Sequence, residues 1–177
     1  ISIDDIIKNV SNEYRLVHRL DRDTSGLMII SKNLNSAKLF GTMFKSKEID
    51  KSYLALCEGK PRLKESNVKL DIKNKLNKLN STITYYKLLY NYNGISLILF
   101  KPITGKTHQL RIVAKNLGSP IIGDIKYNTQ SKFKKETLKL NAHTLKFFYS
   151  GKEYKFISSL PYDFSQFAKK EQINIKI

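Results

Sequence analysis

Thr82-Ile-Thr-Tyr-Tyr-Lys-Leu-Leu-Tyr90, Asn91-Tyr-Asn-Gly94 and Gly94-Ile-Ser-Leu-Ile-Leu-Phe-Lys-Pro102 run consecutively through the middle of this chain. The outer stretches are rich in β-branched and aromatic residues, and the Asn-Gly step between them suits a tight turn. Strands joined in this way pair antiparallel. Outward from them, Lys51 to Gly59 alternates in the strand manner, while the Lys/Asn-rich stretch Lys73 to Asn80 reads as a solvated hairpin loop. Two further strands fit Thr137–Tyr149 and Glu153–Ser159. Upstream, Arg15 to Arg19 is a brief extended run, Leu20 to Ser25 a polar turn, and Gly26 to Lys32 a buried strand. Ser2 with Asp4 and Asp5 opens a short helix through about Asn9, acidic at its positive end. Asn35 or Ser36 caps a second through about Lys47, with Leu39, Phe40, Met43 and Phe44 as its apolar stripe. Thr107 to Leu117 suits a third, ending at Gly118, with Leu110, Val113, Ala114 and Leu117 on one face. A last helix begins near Asp163. Strands outnumber helices and lie mostly in neighbouring antiparallel pairs, so the class is α+β and not a doubly wound sheet.

The chain has 177 residues, of which 41% are hydrophobic, enough for one domain with a core. No period of 20 to 50 residues repeats and no Gly/Ser/Pro linker divides it. Its formal net charge of +17 points to a polyanionic partner, nucleic acid first, against the plainer reading of a basic surface kept for solubility. A single cysteine, Cys57, excludes an internal disulfide framework and any Cys-cluster metal site. No apolar run approaches the roughly 20 residues of a membrane span, and no signal peptide heads the chain. These features read as a soluble protein of the cytoplasm.

Only five basic residues are Arg, and Arg19, Arg22 and Arg111 fall within two short polar segments. Arg in a chain otherwise so rich in Lys marks places where a planar, permanently charged fork is needed. The first segment, His18-Arg-Leu-Asp21-Arg-Asp-Thr-Ser-Gly26, lies between two short hydrophobic runs, as loops carrying reactive groups commonly do. Asp21 reads there either as a reactive carboxylate or as a turn residue paired with Arg19 or Arg22. The second, Thr104-Gly-Lys-Thr-His-Gln-Leu-Arg111, opens a helix whose first amides, with Lys106, could hold a phosphate. Its spacing is not that of a P-loop, and no GxGxxG is present. His18, His108 and His143 lack metal-ligand spacing, so no metal site is expected. Ser25 has no nucleophile-elbow context, and Cys57 alternates with Tyr53 and Ala55 as a packed thiol would.

His18-Arg-Leu-Asp-Arg-Asp-Thr-Ser-Gly-Leu-Met-Ile-Ile-Ser-Lys32 resembles the catalytic segment of the RluA-type pseudouridine synthases. Lys51-Ser-Tyr-Leu-Ala-Leu-Cys-Glu-Gly59, Thr104 to Arg111, Gly118-Ser-Pro-Ile-Ile-Gly-Asp124, Lys126-Tyr127, Leu140-Asn-Ala-His143 and Leu160-Pro161 match in the same order. The resemblance covers about Arg15 to Phe167, and its wording is nearest the RluC-like branch, which modifies large-subunit ribosomal RNA. It implies the pseudouridine synthase fold: a mixed, mostly antiparallel sheet flanked by helices, with a central active-site cleft. Relatives usually carry a Lys-Pro-x-Gly strand upstream of this motif, often after a small S4-type RNA-binding domain. Residues 1–177 contain neither, so the whole chain is expected to be one catalytic domain, truncated at its N-terminus relative to the family.

The implied reaction isomerises uridine in RNA to pseudouridine, without redox change or cofactor, in a monomer. Asp21 is the carried-over essential residue, acting as a nucleophile or as the base that opens elimination through the sugar. Burial disfavours any ionised carboxyl, and Arg111 is expected to offset this by pairing with Asp21. Tyr53 would stack on the uracil and help move the C5 proton, against the plainer reading of an inward core tyrosine. The uridine must be flipped out of its helix, with Arg19 filling the space it leaves or contacting a phosphate. His108 and Gln109 are expected at the pocket wall, and Lys106 at the RNA. His18, Arg22, Thr24, Ser25 and Leu110 are expected to support the loop and pocket, with Gly26, Thr24 and Ser25 fixing the turn. Two rival functions stay open on the residues alone. One is a catalytically silent RNA-binding or ribosome-assembly module. The other is a carboxylate-based nucleosidase, which wants a second placed carboxylate that Asp23 is not expected to supply.

Overall fold

The computed structural model describes residues 3–73 and 76–175. In chain order the first elements are α1 (Ile3–Val10), β1 (Arg15–Leu16), β2 (Ser25–Gly26), β3 (Ile30–Ser31), α2 (Leu34–Lys45) and β4 (Asp50–Glu58). Then come β5 (Glu65–Lys73), β6 (Leu79–Tyr92), β7 (Ile95–Pro102), α3 (Gln109–Asn116), β8 (Leu140–Tyr149), β9 (Lys152–Ile157) and α4 (Tyr162–Lys170). The hairpin of β6 and β7 forms as expected, turning through Asn93 and Gly94 at φ 47° and 74°. Two left-handed residues in succession match the twist of the flanking strands, which is why Asn-Gly stands there.

The main sheet runs β2-β8-β4-β7-β6-β5, with β9 added along β8. All its pairings are antiparallel except β2 with β8. β4 is covered on both faces, so Leu54, Ala55, Leu56 and Cys57 are all fully buried. Ala55 and Cys57 face α3 through Leu110, Val113 and Ala114. Leu54 and Leu56 face α4 through Phe164, Phe167 and Ala168. A third cluster packs α2 against the outer part of β8 through Met43, Leu145 and Phe147. Lys139, wholly buried just before β8, is balanced by Glu136 at 3.0 Å and Asp163 at 3.2 Å. Among the described residues no helix is long and apolar enough to cross a membrane.

Pairing then opens a gap that matters for the site. From Glu58 back to Tyr53, β4 lies against β7, ending at the pair Tyr53 and Phe100. Beyond that pair, Asp50, Lys51 and Ser52 are held by β8, whereas Lys101 and Pro102 are held by β6. The sheet therefore forks, with Tyr53 at the crotch. Opposite the step from Ser52 to Tyr53, β8 carries one extra residue, His143, a bulge of the kind that bends a strand beside a site.

Several expected elements differ. Gly26 to Lys32 is not one buried strand: Ser25–Gly26 joins β8, Ile30–Ser31 joins β1, and Ile30 is 38% exposed. Its apolar residues Leu27 and Ile29 are spent under α2 instead of in the sheet. Only Arg15 and Leu16 of the run to Arg19 are strand, because that is all β3 can pair. α2 is capped by Asn33, whose side chain accepts from the Ser36 amide at 2.9 Å, and it ends at Lys45. α3 begins at Gln109, since His108 is left-handed (φ 56°) and cannot be helical. β8 starts at Leu140, three residues later than expected: the Lys139 amide just before it donates to Ile122 O at 2.9 Å, while its carbonyl still accepts from the Leu56 amide of β4 at 3.1 Å. β5 was not expected. Its Val68 and Leu70 pack on the α3 cluster. The Ser2 cap lies outside the described residues, and so do positions 74 and 75 of the expected hairpin loop, of which Leu79 and Asn80 belong to β6.

Candidate active site

The loop carrying Asp21 is stapled at both ends. At its start, His18 Nε2 accepts the Ile29 amide at 2.8 Å, and the imidazole lies 4.4 Å from the Phe44 ring of α2. Burial, helped by the charge of Lys51, lowers the His18 pKa to about 4, so the ring is a neutral brace. At the far end, Ser25 Oγ donates to Leu140 O at 3.2 Å and accepts from Asn141 Nδ2 at 3.0 Å. A Cβ at Gly26, whose φ is 109°, would collide with the Ala142 carbonyl, so only glycine lets β2 close on β8. Between the staples, the Thr24 amide donates to Asp21 O at 3.0 Å and closes the turn. The Thr24 hydroxyl, expected to brace this turn, is buried without a hydrogen-bond partner among the described residues. Arg22 and Asp23 point outward, 4.0 Å from each other, and neither lines the cleft.

What the staples achieve is a carboxylate aimed into the fork. A cleft of about 1200 Å³ runs through it, lined by Asp21, Thr24 and Tyr53 at the crotch and by Gln109, Leu110 and Leu140 beside them. One prong contributes Lys51, Lys146 and Lys155, and the other Tyr85, Lys101 and Lys106. The Asp21 carboxylate makes no hydrogen bond or ion pair with any described residue, and its charge is felt by Tyr53, His108 and Arg111. Burial first, and then Asp21, push the Tyr53 hydroxyl up to about 12. The phenol therefore stays protonated at neutral pH and can donate to a bound base. Arg19 is exposed at the rim, free of any ion pair among the described residues.

The second polar segment builds the wall behind Asp21, with partners the sequence did not disclose. Arg111 does not pair with Asp21. Its Nε and Nη2 both donate at 2.7 Å to the carboxylate of Asp124, in the bidentate geometry only a guanidinium supplies. The reason is position: Arg111 sits on the buried side of α3, and Asp124, 1% exposed, is already fixed by the amides of Lys126 and Tyr127. Burial pushes the Asp124 carboxyl up, yet the Arg111 fork and these amides outweigh it and hold the group below its usual range. Arg111 reaches Asp21 through its field alone and does not line the cleft. His108 is likewise not a lining residue. Its Nδ1 lies 3.0 Å from the Tyr127 hydroxyl, and burial, outweighing the opposing pull of Asp21, lowers its pKa.

Gln109 does line the cleft, but its amide is fully used. Oε1 accepts from Thr104 Oγ1 and the Lys106 amide, while Nε2 donates to Ile83 O and Thr84 Oγ1. The Lys106 amide is thus occupied and not left for a phosphate; the exposed Lys106 side chain remains. Gln109 instead ties the loop of residues 103–107 to β6. Asp124 and Lys51 were not singled out from the sequence. Asp124 stood within the matching Gly118–Asp124 stretch, and its pairing with Arg111 needs the fold to be seen. Among the described residues, no group of three His, Cys, Asp or Glu side chains could hold a metal ion.

Comparison with known proteins gives the same reading. Two human structures share the fold: RNA Pseudouridylate Synthase Domain Containing 4, at a TM-score of 0.88 and 23% identity over 100% of this chain and 86% of that one, and Domain Containing 1, at 0.74 and 21% over 98% and 86%. Ribosomal large subunit pseudouridine synthase C of Rickettsia prowazekii is 38% identical over 94% of this chain and 61% of its own length. The corresponding protein of Rickettsia bellii is 42% identical over 72% of this chain and 47% of its own. Ribosomal large subunit pseudouridine synthase D of Borreliella burgdorferi is 35% identical over 92% and 55%. The chain thus spans about half to three fifths of the length of these relatives. A sequence profile described as RNA pseudouridylate synthase matches residues 4–116, a span that holds the Asp21 loop, Tyr53 and all of α3. With the stapled carboxylate, the forked sheet and this match in agreement, the chain belongs to the RNA pseudouridylate synthase family.

Proposed function

We propose that the protein isomerises uridine to pseudouridine in RNA, large-subunit ribosomal RNA being the substrate class. The observation that carries this is the unpaired Asp21 carboxylate, lining a cation-rich cleft together with the protonated hydroxyl of Tyr53. The reaction balances within the substrate: the N1–C1′ bond breaks, C5–C1′ forms, the C5 proton leaves and N1 takes up a proton. No oxidant or reductant is called for. Asp21 serves as nucleophile or as the base of an elimination through the sugar, and both need an anion with no competing ion pair. Tyr53 stacks on the uracil and donates from its hydroxyl. Arg111, locked to Asp124, contributes a fixed positive field behind Asp21 in place of a direct bond. Arg19 and Lys106 at the rim meet the RNA around the extruded nucleotide.

The test uses unmodified ribosomal RNA, with pseudouridine mapped by carbodiimide and reverse transcription. Wild type is expected to give discrete stops, and Asp21→Asn none, with RNA affinity retained within severalfold. Turnover undiminished in Asp21→Asn removes Asp21 from the chemistry. RNA binding without product in wild type marks a silent module, and released free uracil marks a nucleosidase.

A further inference from the structure

Among the described residues four cations lie partly or wholly out of water, and three of them are balanced. Lys139 has Glu136 and Asp163, Arg111 has Asp124, and Lys146 has Glu153. Lys51 has no such partner. Its ammonium group lines the cleft, sits 5.7 Å over the Phe44 ring, and lies against the backbone of Gly105, 3.9 Å from where a Cβ would stand. Its other close neighbour, His18, is neutral and spends Nε2 on the Ile29 amide. No described carboxylate pairs with Lys51, and burial lowers its pKa from the usual lysine value. A half-buried, unbalanced charge costs stability, so the group it is built to meet is an anion brought by the substrate.

Strand alternation says where that anion sits. Lys51 and Tyr53 are two residues apart on β4, hence on one face and about 6.6 Å apart along the strand. Tyr53 stands at the crotch of the fork beside Asp21, and Lys51 is the next step out along the same prong, wedged between α2 and the loop of residues 103–107. We propose that Lys51 forms a subsite for the phosphodiester flanking the extruded uridine, fixing the nucleoside's reach over Asp21. An ammonium is suited to this as a point charge that donates to a phosphate approaching from any azimuth. The inference rests on the pseudouridine synthase reading and deepens it.

The experiment compares wild type, Lys51→Met and Lys51→Arg on unmodified large-subunit ribosomal RNA across 50–200 mM salt, with thermal melts of each protein. Lys51→Met is expected to raise KM about tenfold, as loss of one charged contact does, while kcat at saturating RNA falls less than threefold. Its log-affinity against log-salt slope becomes shallower by about 0.7, the value for one phosphate of a single strand. Its Tm does not fall, because an unbalanced charge has been removed, and Lys51→Arg recovers most of the KM. An unchanged KM and slope, or a lowered Tm with KM unchanged, makes Lys51 a strut and overturns the subsite. Absence of pseudouridine from wild type overturns the functional reading first, and the subsite with it. Should Lys51→Met not fold, acylation footprinting of wild type decides: RNA is expected to protect Lys51 and not the exposed Lys60, and equal labelling of Lys51 with and without RNA overturns the proposal.

Discussion

Asp124 and the Arg111 guanidinium lie almost wholly out of water, with 0% and 9% of their side chains exposed. Removing one partner from such a pair leaves the other uncompensated, so Asp124→Asn is expected to lower stability by about 3–5 kcal/mol in urea titrations. The pair also sets an acid limit. The folded pKa of Asp124 lies below the unfolded value, so its contribution is complete above the unfolded pKa and is lost as pH falls through the folded one. Urea midpoints of wild type should therefore drop below about pH 4. Asp124→Asn should be less stable throughout but lack this part of the acid loss, and an identical pH profile for both would refute the assignment. At this scale the sequence was half legible. Arg111 stood out as an Arg among many Lys, and Asp21 as the carboxylate of a polar loop. The partner of Arg111 could not be read, because Asp124 is delivered by a turn that only tertiary structure brings beneath α3.

Among the elements, α2 forms one side of the cleft through Phe44, and its start depends on the reciprocal Asn33 and Ser36 cap. Asn33→Ala is expected to cost about 1 kcal/mol, seen as a Tm lower by about 2–4 °C, whereas Asn35→Ala should leave Tm unchanged. Asn33, Asn35 and Ser36 are all capping types, so the stripe of Leu39, Phe40, Met43 and Phe44 could be read while the cap could not be placed to the residue. The hairpin was legible for a local reason: Asn93 and Gly94 dictate the turn whatever surrounds them. Gly26 to Lys32 misled because an apolar run says that a segment is buried and not what buries it; here it is α2. β5 carries the strand period openly, with Val68, Leu70 and Ile72 set against Lys69 and Asp71, and is the element the expected set lacked.

Over the whole molecule, a net charge of +17 and a cleft lined by Arg19, Lys51, Lys101, Lys106, Lys146 and Lys155 make the proposed affinity for RNA chiefly a matter of phosphates. If about five are met, the log-log salt slope is expected near −3.5 for single strands, measured by filter binding between 50 and 200 mM salt. A slope near zero would contradict a phosphate-led interface. The α+β class followed from the order and pairing of strands. The fork did not, since it arises where β4 and β7 change partners, a fact of register among strands distant in sequence. The burial of Cys57 has a practical consequence at the same scale. This lone thiol is closed off at the centre of β4, and burial drives it far above its ordinary ionisation range, leaving it inert to maleimides in the native state. A fluorophore attached through Lys101→Cys would therefore report from one lip of the cleft alone, turning the arrival of RNA into an optical signal without first deleting the native sulfur.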